Sequence, residues 1–171
     1  MKYTLIHTAL LSEAQSIIET YKLELVQKNP KIYTNNTIVL VVSNMGKDNT
    51  TNTLKIVFDK YEITKAINVG IAGSGSKSYE IGSLFCTNKK LDGINSMTLK
   101  TVDEVQTTTD EKEMLYDMEA KYFEEICLKN VDNKNIYIFK IISDYLDDTI
   151  PSKEFVKQLI KKNMKSLEKW I

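Results

Sequence analysis

Ala66-Ile67-Asn68-Val69-Gly70-Ile71-Ala72-Gly73-Ser74-Gly75-Ser76 is the stretch on which the fold turns. Ala66 to Ile71 is an apolar run of strand length, and it ends in the small residues Ala72 to Ser76, where a backbone can turn or approach a ligand closely. A run of this kind reads as a strand buried on both faces, which places it in a parallel sheet with helices above and below. Ile38-Val39-Leu40-Val41-Val42, broken by Gly46, has the same character, and Ile136 to Ile142 is a third such strand.

Between these runs the apolar spacing changes to that of helices. Ser12 to Lys22 carries Ala14, Ile17, Ile18 and Tyr21 at helical spacing after a short first strand, Tyr3 to His7. Asn52 to Tyr61 predicts a second helix, Met118 to Leu128 a third with Phe123, Ile126 and Cys127 inward, and Pro151 opens a fourth with Phe155, Leu159, Ile160, Met164 and Leu167. Lys31 to Tyr33 and Thr37 to Ser43 flank Asn35-Asn36 and read as a hairpin. Ile81 to Thr87 reads as a strand and Lys89 to Thr98 as a polar loop. The expected architecture is α/β, a three-layer fold whose central sheet is mostly parallel or mixed and flanked by helices, in one domain over residues 1–171.

Composition limits the partners. Lys+Arg and Asp+Glu both number 23, so there is no electrostatic footprint for nucleic acid or an anionic membrane. All the basic residues are lysine, which removes the planar fork that grips phosphate at two points. Cys86 and Cys127 lie far apart in apolar runs, which reads as buried free thiols in a reducing compartment, with no metal and no cofactor expected. Met1 to Leu11 is too short for a signal-peptide core, and no apolar stretch reaches membrane-spanning length, so the expected location is the cytoplasm.

In parallel-sheet folds ligands gather beyond the carboxyl ends of the strands. Three such ends hold informative residues: Ala9 to Glu13, Ala72 to Ser76, and Ser143-Asp144. Taken singly, each has an ordinary reading. Asp144 serves equally as a loop or capping carboxylate, Glu13 as a surface or helix-start acid, and Glu119 as an acid favoured by the dipole just inside a helix. Gly73 and Gly75 alone are a weak signal.

In order along the chain, however, these segments resemble the nucleoside phosphorylase and nucleosidase superfamily, most of all its methylthioadenosine and S-adenosylhomocysteine nucleosidases. The resemblance runs through Thr8-Ala9-Leu10-Leu11-Ser12-Glu13-Ala14, Val42-Ser43-Asn44-Met45-Gly46-Lys47-Asp48-Asn49, Ile67 to Gly73 with Ile81-Gly82-Ser83-Leu84, Asp117-Met118-Glu119-Ala120, and Ile141-Ile142-Ser143-Asp144. It implies that Asp144 protonates the departing purine at N7, with Ser143 steadying it, and that Glu13 orients and deprotonates the attacking water. Glu119 would hold ribose hydroxyls, with Met118 packed on the ribose. Ala72 and Gly73 would floor the site, and Val105 stands where relatives place an aromatic residue on the base. The chemistry requires such a division, since cleaving an N-ribosidic bond needs both an acid for the base and a nucleophile at the anomeric carbon.

The resemblance implies a homodimer acting on a small-molecule purine nucleoside. The presence of Glu13 and the absence of arginine favour hydrolysis. Phosphorolysis, or a non-catalytic nucleoside-binding module, are the alternatives. Two departures bear on substrate: the stretch from Thr87 to Thr101 is shorter than the family's, which supplies part of the lid there, and Ile71 replaces a serine common beside the bound water.

Overall fold

The computed structural model describes residues 1–111, 113–147 and 150–171, and its nine strands form one mixed sheet. Four parallel strands make the centre, in the order β4 (Ile38–Val42), β1 (Lys2–Thr8), β5 (Glu62–Ser74) and β9 (Ile136–Asp144). The antiparallel β3 (Lys31–Thr34) and β2 (Glu24–Lys28) extend the sheet beyond β4. At the other edge β6 (Leu84–Cys86) runs antiparallel to β9.

Alternation along the central strands sends successive side chains to opposite faces. Ile6, Leu40, Ile67, Phe139 and Ile141 meet Ala14 and Ile17 of α1 (Leu11–Tyr21) and Leu159 and Ile160 of α4 (Lys153–Leu167). On the other face Leu5, Val39, Ala66 and Ile138 meet Leu54 and Val57 of α2 (Lys47–Lys60) and Phe123 and Cys127 of α3 (Ala120–Cys127). Each Leu, Ile, Val or Phe among them contributes about 1.5–3 kcal/mol when fully buried. Both faces of the sheet are therefore driven inward, as the apolar runs predict.

The site is positioned by unequal strand lengths. β1 ends at Thr8, level with the middle of β5, and β5 continues to Ser74. The edge of β5 that β1 vacates is taken up first by a side chain of α1 and then by β8 (Met114–Asp117), which pairs antiparallel at Gly73 and Ser74. β7 (Thr98–Thr101) lies parallel to β8. The result is a cleft at the carboxyl end of β1.

Several elements differ from the sequence expectation for identifiable reasons. β9 runs through Asp144, so Ser143 and Asp144 are the last residues of a strand rather than a loop after it. α3 begins at Ala120, which puts Glu119 just outside the helix as its cap residue. α2 starts at Lys47 rather than Asn52 because its first turn, Lys47-Asp48-Asn49, is polar and hides the apolar spacing. The expected strand at Ile81 to Thr87 shrinks to three residues, its start consumed by a turn with Gly82 at φ 91°. Phe155 is 36% exposed, and Val156 takes the inward place instead. β2, β7 and β8 were not anticipated; β2 and β7 are short and polar, and pairing with neighbours makes them strands. No helix among the described residues is long and apolar enough to cross a membrane.

Candidate active site

A cavity of about 1130 Å³ opens at the carboxyl ends of β1, β5 and β9. Glu13, Met118, Glu119, Ser143, Asp144, Ala72, Gly73 and Val105 all border it, so the structure brings the eight sequence-selected residues to one place. The three carboxylates, Ala72 and Gly73 thus line a single cavity.

Glu13 stands in the first turn of α1 and is 3% exposed, not a surface acid. Its Oε2 accepts from the amides of Ala9 (3.0 Å) and Leu10 (2.8 Å), and its Oε1 accepts from the Ile71 amide (2.9 Å) on the free edge of β5. A carboxylate has about four lone-pair sites, so three are used and one on Oε1 is left. Burial raises the Glu13 carboxyl above its ordinary value, against the pull of the Lys140 ammonium and the three amides.

Lys140, in sequence terms only the basic residue near the final Ser143-Asp144 motif, takes a place in the site that its sequence does not assign. It lies inside the apolar β9, is 1% exposed, and its Nζ meets Asp117 Oδ2 at 2.7 Å. Burial disfavours its charge, but Asp117, Glu119 and Glu13 outweigh that cost and hold it above its ordinary value. Gly70 explains how the two groups share a level. A Cβ there would sit 3.0 Å from Glu13 Oε1 and 3.2 Å from Lys140 Nζ, so a side chain at this position would press on both groups. A charged residue in the middle of a buried strand must have a partner, and that was the available signal.

Asp117, at the end of β8, ties the floor together. Its Oδ2 also accepts from the Ala120 amide (2.8 Å), and its Oδ1 accepts from Thr101 Oγ1 (2.6 Å). Glu119 is 7% exposed, and its Oε1 accepts from the Gly46 amide (3.0 Å). Burial, helped by repulsion from Asp117 and Glu13, pushes its carboxyl up to about 7, while Lys140 and the Gly46 amide resist. Glu119 therefore changes charge near neutrality.

Asp144 faces the cavity from the end of β9, half-buried. Ser143 Oγ donates to its Oδ2 (2.6 Å), and the Leu146 amide donates to its Oδ1 (2.9 Å). Gly73 lies close by: a Cβ there would fall 2.6 Å from Leu146 Cδ2 and 3.0 Å from Asp144 Oδ1, so a side chain would have to displace Leu146 and crowd the carboxyl. Val105 is 75% exposed on the rim, with Met45 and Ile150 also exposed there. The stretch from Thr87 to Thr101 does not border this cavity; it borders a separate one of about 670 Å³ with Lys121 and Glu124. Among the described residues no group of three or more His, Cys, Asp or Glu is placed to hold a metal ion.

Comparison with solved structures matches this architecture. The chain superposes on the Helicobacter pylori 5′-methylthioadenosine/S-adenosylhomocysteine nucleosidase with a TM-score of 0.81 at 15% identity, covering 100% of this chain and 99% of that one. The fold is that of the nucleosidases. Futalosine hydrolase of Helicobacter pylori aligns with a TM-score of 0.81 at 14% identity over 100% of both chains. The Campylobacter jejuni 5′-methylthioadenosine/S-adenosylhomocysteine nucleosidase aligns at 0.78 and 17% identity, over 98% of this chain and 97% of that one. No family model matches the sequence, and no curated protein matches it. The nucleosidase fold is thus carried here by a sequence only 14% to 17% identical to these structures.

Proposed function

We propose that this protein is a nucleosidase that hydrolyses the N-ribosidic bond of a purine nucleoside, methylthioadenosine, S-adenosylhomocysteine or a related compound. The observation that carries the reading is the convergence of Glu13, Glu119 and Asp144 on one cavity in a nucleosidase fold. The structural neighbours include a nucleosidase solved with 5′-methylthioadenosine in its active site and a futalosine hydrolase, which supports a purine nucleoside with a variable 5′ substituent.

In the proposed reaction a water takes the remaining lone pair of Glu13 Oε1. Glu13 accepts its proton as the oxygen attacks the anomeric carbon. The carbon–nitrogen bond to the base breaks, and Asp144 delivers a proton to N7 so that the base leaves neutral. Ser143, which donates to Oδ2, orients that carboxyl. Glu119 holds the ribose hydroxyls and, ionised, stabilises the positive charge developing on the sugar. The Lys140 ammonium sits beside Glu13 and balances the three acids around it. Water is the nucleophile in this reading because the chain has no arginine to grip phosphate.

The reading includes a homodimer in the cytoplasm. Leu11, Met45, Val105 and Ile150 leave an exposed apolar rim around the cavity mouth, and a second copy would cover it. Light scattering at high micromolar concentration should give twice the chain mass; a monomer would remove that part. The reaction is tested by incubating the protein with purine nucleosides, with and without phosphate. Free base and free sugar should appear in phosphate-free buffer. Asp144→Asn should slow turnover by about a hundred- to ten-thousand-fold while nucleoside still binds. A sugar 1-phosphate formed only with phosphate present would make it a phosphorylase, and binding without any base release would leave a binding module.

A further inference from the structure

Behind the site, on the α2–α3 face of the sheet, lies a row of buried polar side chains that the proposed reaction does not use. His7 and Asn68 are 0% and 1% exposed, Ser43 is 3% exposed, and none of the three borders the cavity. Asn68 Nδ2 donates to His7 Nδ1 (2.8 Å), His7 Nε2 lies 2.9 Å from Ser43 Oγ, and Ser43 Oγ donates to the Asn44 carbonyl (2.7 Å).

The direction of this chain is determined at both ends. The Asn44 carbonyl only accepts, so the single Ser43 hydroxyl proton goes there, and His7 Nε2 must be the donor to Ser43. At the other end the Asn68 amide nitrogen faces two acceptors, His7 Nδ1 and the His7 carbonyl at 3.5 Å. His7 is therefore the neutral ring with its proton on Nε2. Burial, and then the nearby Lys140 ammonium, lower its pKa to about 3, against Asp117, so it stays neutral at physiological pH.

The chain ends on a turn that needs holding. Asn44 has φ 69° and Gly46 φ 90°, and a non-glycine residue in the left-handed region keeps it only where its surroundings enforce it. That turn presents the Gly46 amide to Glu119 Oε1. His7 touches Glu119's other support as well, since its ring stacks on Phe123 (centroids 5.5 Å apart), and the Phe123 amide bonds the Glu119 carbonyl.

We propose that His7, Ser43 and Asn68 form a positioning relay that sets the Asn44–Gly46 turn and, through the Gly46 amide, the Glu119 carboxylate. Its consequence for turnover rests on Glu119 holding the sugar; its structural part does not. His7→Phe keeps the ring volume and the stack on Phe123 but removes both hydrogen bonds. His7→Gln keeps an acceptor for Asn68 and a donor for Ser43 at a similar separation.

The test is NMR on the full chain, with kinetics alongside. In the wild type the imidazole should be neutral and protonated on Nε2 from pH 5 to 8. In His7→Phe and in Ser43→Ala the Gly46 amide resonance should move. The Glu119 carboxyl, identified by its loss in Glu119→Gln, should then titrate above its wild-type midpoint, because the amide that favours its ionised form no longer reaches it. Asp117, Lys140 and Glu13, which also face Glu119, are untouched in these variants. kcat/KM should fall by about threefold to tenfold, the worth of one hydrogen bond, and His7→Gln should restore most of it. Should His7→Phe misfold, Ser43→Ala carries the same comparison. An Nδ1-protonated ring, an unchanged Gly46 and Glu119 in both variants, or a His7→Gln as impaired as His7→Phe would overturn the relay. If the resonances respond as expected while the wild type cleaves no nucleoside, the relay stands and the proposed function falls.

Discussion

The two walls of the site cavity are built on opposite principles. One wall is the end of the sheet, where Glu13 and Ser143 are 3% and 4% exposed and Glu13, Glu119 and Asp144 are held by backbone amides. The other is made of rim side chains: Met45, Val105 and Ile150 are 55%, 75% and 91% exposed. The first wall is tightly restrained, because each acid accepts hydrogen bonds from fixed backbone amides or a neighbouring hydroxyl. The second has few constraints within one chain. Bond-breaking chemistry needs fixed geometry, whereas the fit to a substituent depends on whatever closes the rim. If the proposed reaction holds, substitutions on the sheet wall act on the reaction and those on the rim on the fit to the substrate.

Substitutions on the sheet wall should therefore cost most. Glu13→Gln sets an amide NH2 against one of the three backbone N–H groups that Glu13 now satisfies. Turnover should fall by about a hundred- to ten-thousand-fold, measured as base release well below the melting temperature. A loss smaller than about tenfold would separate Glu13 from the chemistry. Lys140→Met removes the ammonium that meets a buried acid, Asp117, at 2.7 Å. Breaking a buried pair from one side costs about 3–5 kcal/mol, read as a lower denaturation midpoint in urea. An unchanged midpoint would mean that the charges beneath the site are not coupled to folding.

Glu119 gives a pH signature of intermediate size. Its carboxyl is raised from 4.5 to about 7, so the native state holds a proton that the unfolded chain releases. The stability this group contributes is full below about pH 4.5 and is lost as pH rises towards 7, by a few kcal/mol at most. kcat/KM should rise over the same window as the ionised form appears. Glu119→Gln should abolish both trends, seen in melting temperature and rate against pH. If it leaves both unchanged, other acids control them. The smallest effect belongs to the rim: Val105→Ala should change stability by less than about 0.5 kcal/mol and act on KM rather than kcat. A loss of kcat rivalling that of Glu13→Gln would break the contrast between the walls.

Legibility followed the same division. The central strands were readable because burial on both faces leaves a continuous apolar run, whereas Glu13 and Asp144 had ordinary readings singly and were selected only by the order of motifs that resembles the nucleosidases. The exact ends were not: Asp144 lies in β9, and Glu119 lies outside α3, because hydrogen-bond partners on other elements decide where each one stops. β7 and β8 escaped notice since four residues carry too little periodicity, yet they bring Asp117 beneath Lys140.

By itself the sequence determined which segments must be buried and hence the three-layer α/β arrangement, for hydrophobic periodicity is local information. It also determined that acids and small residues would crowd the carboxyl end of the sheet. Only the tertiary structure decided that Glu13 takes the Ile71 amide, that Lys140 answers Asp117, and that His7 works with Ser43 and Asn68 beneath Glu119. Those partners are far apart in the chain, and each is a polar group removed from water. Such a group is stable only beside a complementary one, and which one that is depends on strand order and register, not on any pattern along the chain.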